Sequence, residues 1–260
     1  MSMNESGSTA GWPNAKNHHS VQYEIELTLR TLFQPTDLFE IRALIPPSKT
    51  VVGYFQYEKI DTVFGLMNRA VGGASGVYVV LNEIDPALLA RAPNRFQTCL
   101  GKESVATSDR DVRRRRWLPL DFDPIRVAGV SSSDTEKAAA KQRALNCGSY
   151  LKNCGWPAPI FADSGNGYHL LFPIDLEVDR AANPTSEPGK ALVERVLKSL
   201  SLLFSDGAVK LDTSLFNASR IIKLYGTLAR KGANMPDRPH RRSHLIEIPH
   251  YLRTANAADC

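Results

Sequence analysis

Near the middle of the chain, the run Trp117-Leu118-Pro119-Leu120-Asp121-Phe122-Asp123-Pro124 reads as an apolar strand that carries two acids. Side chains two apart in a strand point to the same side, so Asp121 and Asp123 share a face. Leu118, Leu120 and Phe122 flank them, and Pro124 ends the run. Two like charges withdrawn from water within a few ångströms of each other are costly unless one keeps its proton or a cation neutralises them. A hard, oxygen-loving ion such as Mg²⁺ or Mn²⁺ meets that need. A bare D-x-D on a solvated strand face needs no ion, so the flanking apolar residues carry the argument.

The surrounding pattern predicts a mixed α/β or α+β fold. The first twenty residues are rich in Ser, Asn and Gly and read as a disordered leader over 1–20, with folding from Val21. Gln22 to Phe33 alternates like a strand but tolerates a helix, and we read it as a helix. Phe39, Ile41 and Ala43, then Val51 to Phe55, give two strands joined across Pro46-Pro47. Lys59 to Ala70 repeats its apolar residues at three and four, a helix that Gly72-Gly73 stops. Gly76 to Leu81 is a strand, and the basic segment up to Arg116 reads as a loop. Ser133 with Glu136 forms a capping box that opens a helix toward Tyr150. Pro159 to Ala162 and Tyr168 to Phe172 are strands about Gly165-Asn166-Gly167. Lys190 to Phe204 is an amphipathic helix with Leu192, Val196, Leu200 and Leu203 on one face. Val209 to Leu211 and Leu245 to Ile248 complete the strands, and no internal repeat is evident.

No stretch reaches the roughly 20 apolar residues that span a bilayer, and the polar start lacks the apolar run of a secretory signal. The expectation is a soluble, cytoplasmic protein with no membrane partner. The four cysteines form no C-x₂-C pair, so they read as reduced packing residues and zinc is not predicted. A net charge of +5 says little about partners, but its distribution says more. Between Asn217 and Arg253 eight basic residues face two acidic ones, which should attract polyanions. A second basic run, Arg113, Arg114, Arg115 and Arg116, precedes the acidic strand; such a run is usually a solvated face.

Two further motifs follow. In Asp163-Ser164-Gly165-Asn166-Gly167-Tyr168-His169 a strand enters a glycine turn and another leaves it carrying a histidine. Glycines let backbone amides approach a phosphate, and a serine hydroxyl and an imidazole N–H donate to its oxygens. An ordinary hairpin with a core histidine has the same pattern. Later, Asp212 closes a short strand, and Arg220 and Lys223 lie three apart around Ile221-Ile222. On a helical turn that spacing brings both cations to one side, where a triphosphate would match them.

The order of these motifs resembles the archaeo-eukaryotic primase superfamily, in particular the primase-polymerase domains of bacterial plasmids and phages. Asp121 and Asp123 match its first acidic motif. Ser164, Gly165, Gly167 and His169 match its S-G-x-G-x-H motif. Asp212 matches its later acid, and Arg220, Lys223, Gly226 and Thr227 the element after it. The upstream piece Gly76 to Asn82, with Arg91 and Asn94-Arg95, is also similar, so the resemblance runs from about Phe39 to Ile248.

The resemblance implies an RRM-like catalytic part over about 111–255 packed on an N-terminal α/β module over about 21–110. It implies that Asp121, Asp123 and Asp212 bind two divalent ions, Mg²⁺ or Mn²⁺, roughly 4 Å apart. Ser164, Gly165, Gly167, His169, Arg220 and Lys223 would then hold a nucleoside triphosphate substrate. The implied activity is that of a DNA primase and DNA polymerase, with single-stranded DNA template and primer as partners. Arg113 to Arg116, Arg230 and Lys231 are the template-binding candidates, with Arg238, Arg241 and Arg242 beside them, and Trp117 or Tyr225 stacking a base. Gly189-Lys190 lacks the rest of a Walker motif, so helicase activity would belong to another domain or protein.

Three alternatives stand beside this reading. A metal-dependent nuclease would use the same carboxylates. A replication relaxase needs two histidines on one strand, a need that His18-His19, His240 and His244 meet poorly. A non-catalytic single-stranded DNA-binding module explains the basic patches but not the three acids.

Overall fold

The structure is a computed structural model and describes residues 20–99, 105–178 and 188–255. The polar leader, apart from Ser20, and the pair His18-His19 lie outside the described residues. Ser20 caps helix α1 (Val21–Leu32) by accepting from the Tyr23 amide. The chain then forms β1 (Leu38–Ile45), β2 (Lys49–Gln56), α2 (Ile60–Ala70), β3 (Gly76–Val80), β4 (Glu83–Ile84), β5 (Phe96–Thr98) and the long β6 (Val112–Pro124). After it come α3 (Asp134–Asn153), β7 (Ile160–Asp163), β8 (Tyr168–Glu177), α4 (Pro188–Phe204), β9 (Val209–Leu211), β10 (Ile221–Lys223), β11 (Leu228–Ala229), β12 (Arg241–Arg242) and β13 (His244–Glu247).

These elements make a mixed α+β fold built on two antiparallel sheets. One has the order β10-β3-β1-β2-β5 and the other β13-β7-β8-β6-β4, with β9 pairing β6 at its far end. Each sheet borrows from the other half of the sequence. β10 hydrogen-bonds to β3, and β4 to β6, so the strands do not sort cleanly at residue 110. One apolar core is shared between the sheets, with Phe39, Ile41 and Val79 from one and Trp117, Ile160 and Leu171 from the other. A second core packs α3 and α4 under β6 and β8 through Leu120, Phe122, Ala144, Cys147, Leu170 and Leu197. No helix among the described residues is long and apolar enough to cross a membrane.

The strand pair about Pro46-Pro47, the helix ending before Gly72, and the Ser133–Glu136 capping box all form as read from sequence. Three expectations are corrected. The arginine run is not a loop but the first half of β6, because opposite charges on β4 and β8 line up beside it. Ile221 to Lys223 is a strand, not a helical turn, since its backbone completes the edge of the first sheet. In α4 the buried residues are Val193, Leu197 and Leu200, while Leu203 is 58% exposed, so the apolar face is turned by one residue.

Candidate active site

A cleft of about 310 Å³ opens between the two sheets. Asp121, Asp123, Ser164, His169, Arg220 and Lys223 all line it, together with Tyr78, Asn166, Arg230 and Lys231. The second sheet explains how the acidic strand and the glycine turn meet. β6 and β8 pair so that Asp121 stands opposite His169. On the other side of β6, the Asp212 amide donates to the Asp121 carbonyl at 2.9 Å, extending the β9 pairing by one residue. Laterally paired residues share a face, so His169, Asp121 and Asp212 form a row across three strands.

The charges are tightly arranged. The Asp121 side chain is 21% exposed, and its buried Oδ1 has no hydrogen-bond partner, although His169 Nε2 lies 3.4 Å away. Burial pushes the Asp121 pKa up, but His169, Lys231 and Arg220 outweigh it and the net direction is down. Asp123, 40% exposed, moves the other way, raised by burial and by Asp121, with Arg126 as a cation 3.6 Å away. The Asp212 carboxylate accepts from the Ser214 amide at 2.8 Å and from Arg220 at 3.3 Å. It is thus turned toward Arg220, and among the described residues no three His, Cys, Asp or Glu side chains gather closely enough to hold an ion.

The donor chemistry fits a divalent ion at Asp121 and Asp123. An unpartnered buried carboxylate oxygen beside a second carboxylate is the feature an ion would satisfy.

The glycine turn works differently from the sequence expectation. The Gly165 amide donates to Asp163 Oδ1 at 2.6 Å and the Gly167 amide to Ser164 Oγ at 2.9 Å, so both are already engaged. The glycines instead permit close packing. A Cβ at Gly167 would stand 2.3 Å from the Phe122 carbonyl oxygen and 2.9 Å from Asp123 Oδ1. Gly165 has φ +95° and a Cβ there would meet Ala229 at 2.6 Å. Beneath the turn, Lys137 Nζ is buried against both Asp163 oxygens, at 2.6 and 2.5 Å.

Tyr225 and Trp117 are buried and cannot stack a base. Trp117 donates to the Leu32 carbonyl. The Tyr225 hydroxyl sits 2.8 Å from His169 Nδ1, and burial holds its pKa well above the usual phenol value. When that hydroxyl donates to Nδ1, Nε2 carries the ring proton into the cleft. Lys223 Nζ donates to the Leu228 carbonyl at 2.7 Å and lies over the Tyr78 ring. Burial, then Arg230 and Lys231, push its pKa down to about 7.

The template candidates separate into two groups. Arg230 and Lys231 line the cleft itself. Arg113 to Arg116 lie elsewhere on β6, engaged by Asp85, by Asp175 and Glu177, by the Phe216 carbonyl and by Glu83 respectively. Sequence reasoning missed Tyr78, Asn166 and Arg126, and it missed Tyr225 as the partner of His169. A tyrosine in an apolar run gives no signal of the histidine it will meet.

No protein-family model matches this chain, and no curated protein does. Among solved structures, the chain is similar to the crystal structure of primase RepB' at 12% identity and a TM-score of 0.45, over 92% of this chain. The chain spans 59% of that one. A likeness of this size leaves the function to be argued from the site.

Proposed function

We propose that this chain is a metal-dependent nucleotidyltransferase that joins nucleotides on a nucleic-acid template, of the primase-polymerase type its motifs resemble. One observation carries the reading: side chains from three motifs far apart in sequence, Asp121 with Asp123, Ser164 with His169, and Arg220 with Lys223, line a single cleft. A nuclease would use the same acids, but a single scissile phosphodiester carries less charge for this many donors to meet than a triphosphate does.

In this reading Asp121 and Asp123 would hold Mg²⁺ or Mn²⁺, with Asp212 as the third carboxylate. Such ions activate an attacking hydroxyl and neutralise the leaving phosphates. The Ser164 hydroxyl and His169 Nε2–H donate to triphosphate oxygens, with Tyr225 fixing the ring. Arg220 and Lys223 supply positive charge, and a phosphate beside Lys223 would draw its pKa back up. Positioning and charge neutralisation do most of the catalysis. The second sheet with α3 and α4 corresponds to the RRM-like catalytic part. The partners are single-stranded DNA template and primer, with helicase activity left to another domain or protein, in a cytoplasmic plasmid- or phage-type setting.

The test is incubation with a primed template, labelled ribo- and deoxynucleoside triphosphates, and Mg²⁺ or Mn²⁺. Elongation of the primer is expected. A labelled strand that only shortens contradicts the reading in favour of a nuclease.

A further inference from the structure

We infer that Asp109, which does not line the cleft, is a positioning residue that sets where Arg220 points within it. The inference rests on the nucleotidyltransferase reading above, in which Arg220 meets the triphosphate, and adds the group that fixes it there.

Asp212 closes the edge of the second sheet and β10 begins at the edge of the first, so the segment 212–220 crosses between the sheets with Arg220 at its end. Side chains from before β6 and from its first half hold this crossing. Arg115 Nη1 donates to the Phe216 carbonyl at 2.9 Å, and Asn82 Nδ2 to the Ala218 carbonyl at 2.8 Å. Asp109 Oδ1 accepts from the Ser219 amide at 2.8 Å and from the Ser219 hydroxyl at 2.6 Å. The Ala218 carbonyl and the Ser219 amide belong to one planar peptide group, so gripping both of its ends fixes the plane. On the other side of Arg220, its own carbonyl accepts from the Leu81 amide at 3.0 Å. Held between two fixed peptide groups, Arg220 has little freedom in φ and ψ, and the direction of its side chain follows.

Asn82 also accepts from the Arg116 and Trp117 amides where β6 shifts register, so it serves the sheet as well as the crossing. The half-buried Asp109 carboxylate faces the crossing itself. Burial would raise its pKa, but Ser219, Asn217 and Arg115 outweigh that and the net direction is down. A charged acceptor holds an amide and a hydroxyl more firmly than a neutral one. Asp109 is anchored in turn. It opens a single turn of 3₁₀ helix, Asp109–Asp111, in which the Val112 amide donates to its carbonyl, and the Asp85 amide donates to the Asp111 carbonyl at 2.8 Å. Just upstream, the Thr107 amide donates at 2.6 Å to the fully buried Glu40, which also accepts from the Tyr54 hydroxyl. A polar chain thus runs from the interior of the first sheet to the residue before Arg220.

The experiment is a double-mutant cycle on the KM for deoxyguanosine triphosphate in primer extension with Mn²⁺, built from Asp109→Ala, Arg220→Ala and the two combined. Asp109→Ala alone should raise the KM about fivefold to tenfold. In the Arg220→Ala background the same change should raise it less than about twofold, because the side chain it acts through is gone. Asp109→Asn, whose amide oxygen accepts the same two bonds, should recover most of the loss. Ser219→Ala, which keeps the amide bond and loses the hydroxyl's, should fall between. An Asp109→Ala variant that leaves the KM unchanged, or raises it by the same factor with and without Arg220, overturns the inference. Should Asp109→Ala fail to fold, Ser219→Ala carries the same cycle, and an unchanged KM or equal factors there overturn the inference too. Wild-type protein that incorporates no nucleotide overturns the nucleotidyltransferase reading as well, whereas wild-type extension with an additive cycle overturns the inference alone.

Discussion

The chain has two basic regions, and they differ in what faces them. Along the first half of β6, Arg113, Arg114 and Arg116 meet carboxylates on neighbouring strands or the adjoining turn, and the buried Arg115 meets a carbonyl. Their charge is used within the sheet. In the cleft, Arg220, Lys223, Arg230 and Lys231 line the same walls as two carboxylates, the Lys231 ammonium makes no hydrogen bond or ion pair among the described residues, and Lys223 is buried enough to lose much of its charge. The density of arginine in the sequence would rank the first region above the second. The acids across the strands reverse that order, so opposing charge, and not basic residue count, locates a polyanion site.

The contrast is sharpened most by making one chemical change in each region. Asp121→Asn should lower primer extension by about a thousandfold, because the negative charge that would hold a divalent ion is lost. Glu83→Gln, which removes the ion-pair partner of Arg116, should leave extension rates unchanged in the same assay. Equal effects would erase the distinction between the regions.

Lys223→Met gives a smaller effect with a definite pH signature. The folded pKa of Lys223 is depressed from near 10.5 to about 7. Between those values the unfolded chain holds a proton that the folded chain has given up, so stability rises with pH across the window. Below pH 7 the lysine is charged in both states, and above 10.5 it is neutral in both. The slope is at most about 1.4 kcal/mol per pH unit. Urea unfolding across that window should show this slope in wild type and lose it in Lys223→Met.

The smallest effect belongs to β6. Arg116→Ala removes a partly exposed pair with Glu83 and should cost less than about 1 kcal/mol, read from the denaturant midpoint, with nucleotide KM unchanged.

Much of the fold was legible where local chemistry alone decides it. The alternation at Leu118 to Asp123, the capping box at Ser133 and the turn after Ala162 needed nothing from elsewhere in the chain. The arginine run was misread because charge hid a strand whose partners, Glu83, Asp175 and Glu177, are distant in sequence. β10 was misread because three residues carry no periodicity, and only its pairing with β3 makes them a strand. The cleft residues Asp121, Asp123, His169 and Arg220 were named from motifs, yet the purpose of the glycines was not. Gly167 is small because Phe122 and Asp123 press against it, a contact that only the folded chain creates. The Asp212–Arg220 pair was hidden for the same reason.

The central claim is that Asp121 and Asp123 share a divalent ion beside a triphosphate pocket. A crystal grown with Mn²⁺ and a non-hydrolysable nucleoside triphosphate tests it directly. The account predicts an anomalous manganese peak within about 2.5 Å of both carboxylates, with phosphate density reaching Ser164 and His169. Manganese bound elsewhere, or nucleotide density outside this cleft, would contradict it.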